Sequence, residues 1–90
     1  MKYNLVFSPE AKEDLQKHAK AGDKSLLKKI FALFRELEEH PDTGTGQIEK
    51  LRHCNKETWS RRINHKHRLC YRIYGDEVHI ISSYGHYQEK

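Results

Sequence analysis

Cysteine is scarce in this chain. Cys54 and Cys70 are the only two in 90 residues. They stand far apart and match no zinc-ligand spacing, which argues against a structural metal centre. Two isolated thiols do not make a disulfide framework, so the expected setting is a reduced cytoplasm. Long apolar runs are missing as well. No stretch near Lys2 has the length of an export signal, and none reaches the length of a membrane span. No internal repeat, linker or low-complexity tract is present. Prolines number two, Pro9 and Pro41, and both fall where a helix is expected to start or stop. Serine in a nucleophile motif is also lacking.

What remains is one short, polar, basic chain. Ninety residues make one domain, residues 1–90, with a modest core. The hydrophobic fraction is 36% and the charged fraction 33%. That balance would suit a disordered chain, but the apolar residues are periodic, which excludes it. The net charge is +4 with seven histidines uncounted, and the basic excess is clearest after residue 50. Such a domain fits a polyanionic or acidic partner.

Tyr3, Leu5 and Phe7 alternate, which predicts a first strand. Ser8 can cap a helix, Pro9 suits its first turn and Glu10 favours its positive end. Helix one therefore starts at about Pro9, carries a thin stripe of Ala11, Leu15 and Ala19, and ends at Gly22. Asp23 caps helix two. Its Leu26, Leu27, Ile30, Leu33, Phe34 and Leu37 form the clearest amphipathic stripe in the chain and predict a core helix. Pro41 stops it. A loop with two glycines follows, and a strand is expected around Ile48 to Leu51, with Glu49 at its start. Three further strands are expected over Trp59–Asn64, Arg68–Tyr74 and Glu77–Ser83, the last two joined by a Gly75-Asp76 turn.

Register follows from these turns. With Gly75-Asp76 central, Tyr71 faces Ile80, Leu69 faces Ser82 and Arg68 faces Ser83. Leu69, Tyr71, Ile73, Val78 and Ile80 then share the buried face, and Arg68, Cys70, Arg72 and His79 the other. A three-residue loop at His65 to His67 places Ile63 opposite Leu69 and Trp59 opposite Ile73. Arg62 joins Arg68 on the open face, since a loop of two would bury Arg62 unpaired. Arg61 is expected at an edge with its stem packed and its head in water. His65 and His67 flank the turn and are expected to be exposed.

The expected open face carries Arg62 and Arg68, with His86 in reach and Glu49 brought by its strand. A carboxylate, arginines and a histidine are what metal-free cleavage of RNA needs. A base takes the ribose 2′-hydroxyl proton, cations hold the charge of the pentacovalent phosphorus, and an acid protonates the leaving oxygen. On spacing alone the set is weak, because seven histidines make a chance neighbour of an arginine easy.

Four segments sharpen it: Glu49-Lys50-Leu51, Trp59-Ser60-Arg61-Arg62-Ile63, His67-Arg68-Leu69-Cys70-Tyr71 and Gly85-His86-Tyr87. Together they resemble the YoeB/Txe branch of the RelE toxin superfamily, and the likeness covers nearly the whole chain. It implies an α+β fold of two N-terminal helices on a small, mainly antiparallel twisted sheet. It implies a ribosome-dependent mRNA endoribonuclease, the toxin of a type II toxin–antitoxin pair, working without cofactor or metal. By position, Glu49 resembles the general base, Arg68 the cation and His86 the general acid. Arg52 and Arg62 match RNA-binding positions, and Tyr87 the aromatic residue that orders substrate. The implied partners are mRNA and the ribosomal RNA, a YefM-type antitoxin with an acidic C-terminal segment, and a second copy of the toxin. Operator DNA would be reached only through the antitoxin complex, and no membrane is involved. Gln88, Glu89 and Lys90 extend past the tyrosine at which many family members end. Two other readings compete: a ParE-like gyrase poison, which lacks the Glu/Arg/His set, and a module that only binds antitoxin or nucleic acid.

Overall fold

The structure, a computed structural model, describes residues 2–43, 48–51 and 57–85. The first strand, β1, spans Asn4–Phe7, and two helices follow: α1, Pro9–Ala21, and α2, Lys24–Glu39. Four strands complete the chain: β2, Glu49–Leu51; β3, Thr58–Arg62; β4, Arg68–Tyr74; and β5, Glu77–Ser82. They form one sheet in the order β1-β5-β4-β3-β2. β2 to β5 are joined antiparallel, and β1 lies parallel to β5. The chain must therefore cross from one sheet edge to the other between β1 and β2. The two helices make that crossing. This is the expected α+β arrangement, and among the described residues no helix is long and apolar enough to cross a membrane.

The helix boundaries follow local chemistry. Ser8 Oγ accepts from Ala11 N, Pro9 sits in the first turn, and Gly22 closes α1 in the left-handed region at φ +75°. Asp23 accepts from Leu26 N at 3.0 Å and caps α2. Ile30, Leu33, Phe34 and Leu37 of α2 meet Leu69, Tyr71, Val78 and Ile80 of the sheet in the core. Each such side chain contributes roughly 1.5–3 kcal/mol on burial.

Helix α1 departs from expectation. Its buried residues are Ala11, Asp14 and His18, while Ala19 is exposed. Ala11 and Leu15 reach the core as expected, but Asp14 and His18 take the inward place expected of Ala19.

The β3–β4 register differs from the expected one, and the β4–β5 register holds from the turn to Tyr71 and departs beyond it. Across β3 and β4, Arg61 faces Leu69, Trp59 faces Tyr71 and Arg62 faces Arg68. The connection is five residues, not three, and Ile63 is buried within it. Asn64 explains the change: its Oδ1 accepts from Lys66 N at 2.9 Å and from His67 N at 2.7 Å. A side-chain turn of this kind closes the strands earlier. The shift is by two residues, so every side chain keeps its expected face. Across β4 and β5, Tyr71 faces Ile80, but Cys70 faces Ser82 and a bulge lies between. Leu69 thus does not face Ser82, nor Arg68 Ser83. Ile81 is the extra residue, and its carbonyl accepts from Ser8 Oγ at 2.9 Å.

Arg61 is not at an edge in water. It is fully buried. Its Nε donates to Tyr71 Oη at 3.2 Å, its Nη2 to the carbonyls of His40 and Thr43, and its Nη1 lies 3.5 Å from Glu36 Oε1. Tyr71 Oη in turn donates to Pro41 O at 2.6 Å. The expectation failed because it offered the guanidinium only water, whereas the end of α2 supplies carbonyls. These bonds staple the chain leaving α2 to the sheet, upstream of β2.

Burial pushes the Tyr71 phenol above its ordinary value of 10.0, and the Arg61 hydrogen bond and charge oppose that rise. The unfolded tyrosine therefore ionises first as pH rises, and the fold loses stability above about pH 10. Urea unfolding between about pH 9 and 11 should weaken wild type more than Tyr71→Phe. Equal alkaline losses in the two proteins would contradict the burial account.

Candidate functional site

The sheet face turned away from the helices collects the chemistry. Glu49 on β2 faces Ser60 on β3, and Ser60 faces Cys70 on β4. One pair along, Arg62 faces Arg68. Alternation keeps Ser60, Arg62, Arg68 and Cys70 on this face while Arg61, Leu69 and Tyr71 point to the core.

Arg68 is held before any ligand arrives. Its Nε donates to Ser60 Oγ at 3.1 Å, and its side chain is only 15% exposed. Its Nη2 lies 3.9 Å from Glu49 Oε2, beyond hydrogen-bond length. Glu49 is 62% exposed, so this ion pair is weak and its carboxylate stays open to solvent. The arrangement sets an exposed carboxylate beside an oriented guanidinium. Arg62 is exposed, with its Nε 3.4 Å from Asn64 O. Like charges directly opposed across strands repel, and an anion placed between Arg62 and Arg68 relieves that repulsion.

Glu49, Arg62 and Arg68 therefore come together as expected. Arg52, His86 and Tyr87 lie outside the described residues, as do Cys54, the two loop glycines and Gln88 to Lys90. The described chain reaches Gly85, whose carbonyl accepts from Arg68 N at 2.9 Å.

One contributor went unnoticed in the sequence. Ser60 orients Arg68, and the shared parity of residues 60, 62 and 68 could have marked it. Arg72 repeats the device one step along, its Nε donating to Thr58 Oγ1 at 3.0 Å. His67, expected exposed, is buried, while His65 is exposed as expected. The Nδ1 of His67 accepts from Gly85 N at 2.9 Å, which draws that ring inward.

Comparison with known proteins gives a consistent answer. The family model described as the YoeB-like toxin of bacterial type II toxin–antitoxin systems matches residues 7–87. Toxin YoeB of Synechocystis sp. is 44% identical over 67 residues, covering 74% of this chain and 78% of its own length. The YoeB dimer from Staphylococcus aureus superposes with a TM-score of 0.80 at 38% identity, covering 97% of this chain and all of that one. The heterotetrameric YoeB-YefM toxin–antitoxin complex from the same organism gives 0.79 at 38% identity over the same 97%.

Proposed function

This chain belongs to the YoeB-like toxins of bacterial type II toxin–antitoxin systems, and we propose that it acts as an endoribonuclease that cuts mRNA in the ribosomal A site. The observation that carries the reading is the exposed Glu49 carboxylate beside the oriented Arg68 guanidinium. Glu49 takes the proton from the ribose 2′-hydroxyl, and the 2′-oxygen attacks the adjacent phosphorus. Negative charge grows on the phosphoryl oxygens, where Arg68 and Arg62 supply compensating charge. His86, assigned by family resemblance, protonates the departing 5′-oxygen. The products are a 2′,3′-cyclic phosphate and a 5′-hydroxyl. Each acid or base role contributes about 10²–10⁴ in rate. Arg52 and Tyr87 take their RNA-holding roles from the same resemblance.

The partners follow the relatives. A YefM-type antitoxin is supported by the Staphylococcus aureus complex, and a toxin homodimer by the dimer from that organism. The net charge of +4 suits both ribosomal RNA and an acidic antitoxin segment. Operator DNA is contacted only through the antitoxin complex.

Primer extension on a defined mRNA in a purified translation system tests the reading. Wild type should cut within the A-site codon only when ribosomes are present, and His86→Ala should not cut. Continued translation with no wild-type cut would overturn it.

A further inference from the structure

Three buried polar side chains take no part in the chemistry above: Asp14, His18 and His67, at 3%, 1% and 6% exposure. Burying such groups is costly unless their hydrogen bonds are made. All three make bonds to the same short segment. Asp14 Oδ2 accepts from Ser83 N at 2.9 Å, and His18 Nε2 donates to Ser83 O at 2.9 Å. His67 Nδ1 accepts from Gly85 N at 2.9 Å. The next residue, Arg68, donates its backbone N–H to Gly85 O, also at 2.9 Å. Both backbone groups of Ser83 and both of Gly85 are thus fixed, from α1 on one side and from residues 67 and 68 on the other.

Aromatic packing fills the space between. Tyr84 lies 4.7 Å from the His67 ring and 5.3 Å from the His18 ring, and the two imidazoles meet edge-on at 4.8 Å. Lys17 Nζ stands 5.0 Å from the Tyr84 ring centre. Gly85 sits at φ +70°, in the left-handed region where a side chain is strained.

The bonds fix the ring states. A backbone N–H can only donate, so His67 Nδ1 is unprotonated and the ring is neutral, with its proton on Nε2. A carbonyl can only accept, so His18 carries a proton on Nε2.

The placement of this cluster is the telling point. β5 ends at Ser82, so these bonds lie beyond the sheet ladder, on residues 83 to 85. That segment runs directly into His86, and its last carbonyl is bonded to the backbone of the proposed catalytic arginine. We infer that Asp14, His18 and His67 are positioning residues for RNA cleavage: they clamp Ser83 to Gly85 so that the peptide leading to the general acid is held at Arg68. The inference rests on the cleavage reading and extends it to residues that never touch RNA. A misplacement of about 1 Å in a reacting group can lower a rate by about 10², so loosening this clamp should act on the chemical step.

Single-turnover cleavage of ribosome-bound mRNA tests it, with His67 varied three ways. Asparagine carries its carbonyl oxygen where Nδ1 sits. Glutamine carries it one bond further out, and alanine has no acceptor. His67→Asn should stay within a few-fold of wild type, while His67→Gln and His67→Ala should lose about 10–10² in the saturated rate. The toxin concentration at half-saturation should be unchanged in all three, since no RNA contact is removed. Hydrogen exchange at the Gly85 amide should quicken in the Gln and Ala variants only. If His67→Ala does not fold, the Asn and Gln pair carries the same comparison. Full-rate cleavage by His67→Gln, or an Asn variant as slow as Gln, would overturn the inference while wild-type cleavage leaves the activity itself standing. A wild type that never cuts would remove both, and the Gly85 exchange pattern would then report the clamp alone.

Discussion

Arg61→Ala is expected to lower the unfolding free energy by about 3–5 kcal/mol, enough to leave much of the chain unfolded near body temperature. The guanidinium is fully buried and bonds the carbonyls of His40 and Thr43, the phenol of Tyr71 and the Glu36 side chain. Removing it opens a cavity, takes the donor from those acceptors and frees the end of α2 from the sheet. Lysine should not rescue it, because a single ammonium cannot span acceptors arranged for a planar fork. Urea unfolding monitored through Trp59 reads the effect. A loss under about 1 kcal/mol would mean that the network is easily replaced by water.

The second large effect is on activity. Arg68→Ala should lower cleavage by about 10²–10³ while changing stability little, since its side chain lies outside the apolar core. Preorganisation by Ser60 sets a finer expectation. Arg68→Lys keeps the charge but has no Nε for Ser60 Oγ to hold, so it should recover only part of the rate. Time courses of primer extension on ribosome-bound mRNA measure both. Full activity in the lysine variant would mean that charge alone suffices and the Ser60 bond is incidental.

These two arginines show where sequence reasoning reached and where it stopped. Strand alternation assigned Arg68 to the open face and Leu69 and Tyr71 to the core, and both assignments survive a two-residue change of register because the side-chain period is two. Helix α2 was readable because Ile30, Leu33, Phe34 and Leu37 repeat at helical spacing. Arg61 was not readable. Two of its acceptors are backbone carbonyls, 21 and 18 residues away, and carbonyls leave no trace in residue identity. Asp14 and His18 were hidden for the same reason: their partners are the backbone N–H and C=O of Ser83. The bulge at Cys70 and Tyr71 needed knowledge of Ser8, whose hydroxyl and N–H hold Ile81 O and Ile80 O. The Gly75-Asp76 turn, by contrast, is set by neighbours alone, and it formed as expected. The candidate site divides similarly. Glu49, Arg62 and Arg68 were named from residue type and motif, but Ser60, which orients Arg68, shows only once two strands are laid side by side.

In the proposed reaction Glu49 deprotonates a ribose 2′-hydroxyl whose oxygen then attacks phosphorus beside Arg68. An mRNA carrying a single 2′-deoxy nucleotide just upstream of the scissile phosphate, programmed in the ribosomal A site, tests it most directly. The account predicts cleavage of the all-ribose message, with a 2′,3′-cyclic phosphate end, and no cut at the substituted position. Cleavage at the deoxy position would contradict it, because the nucleophile would then have to come from elsewhere.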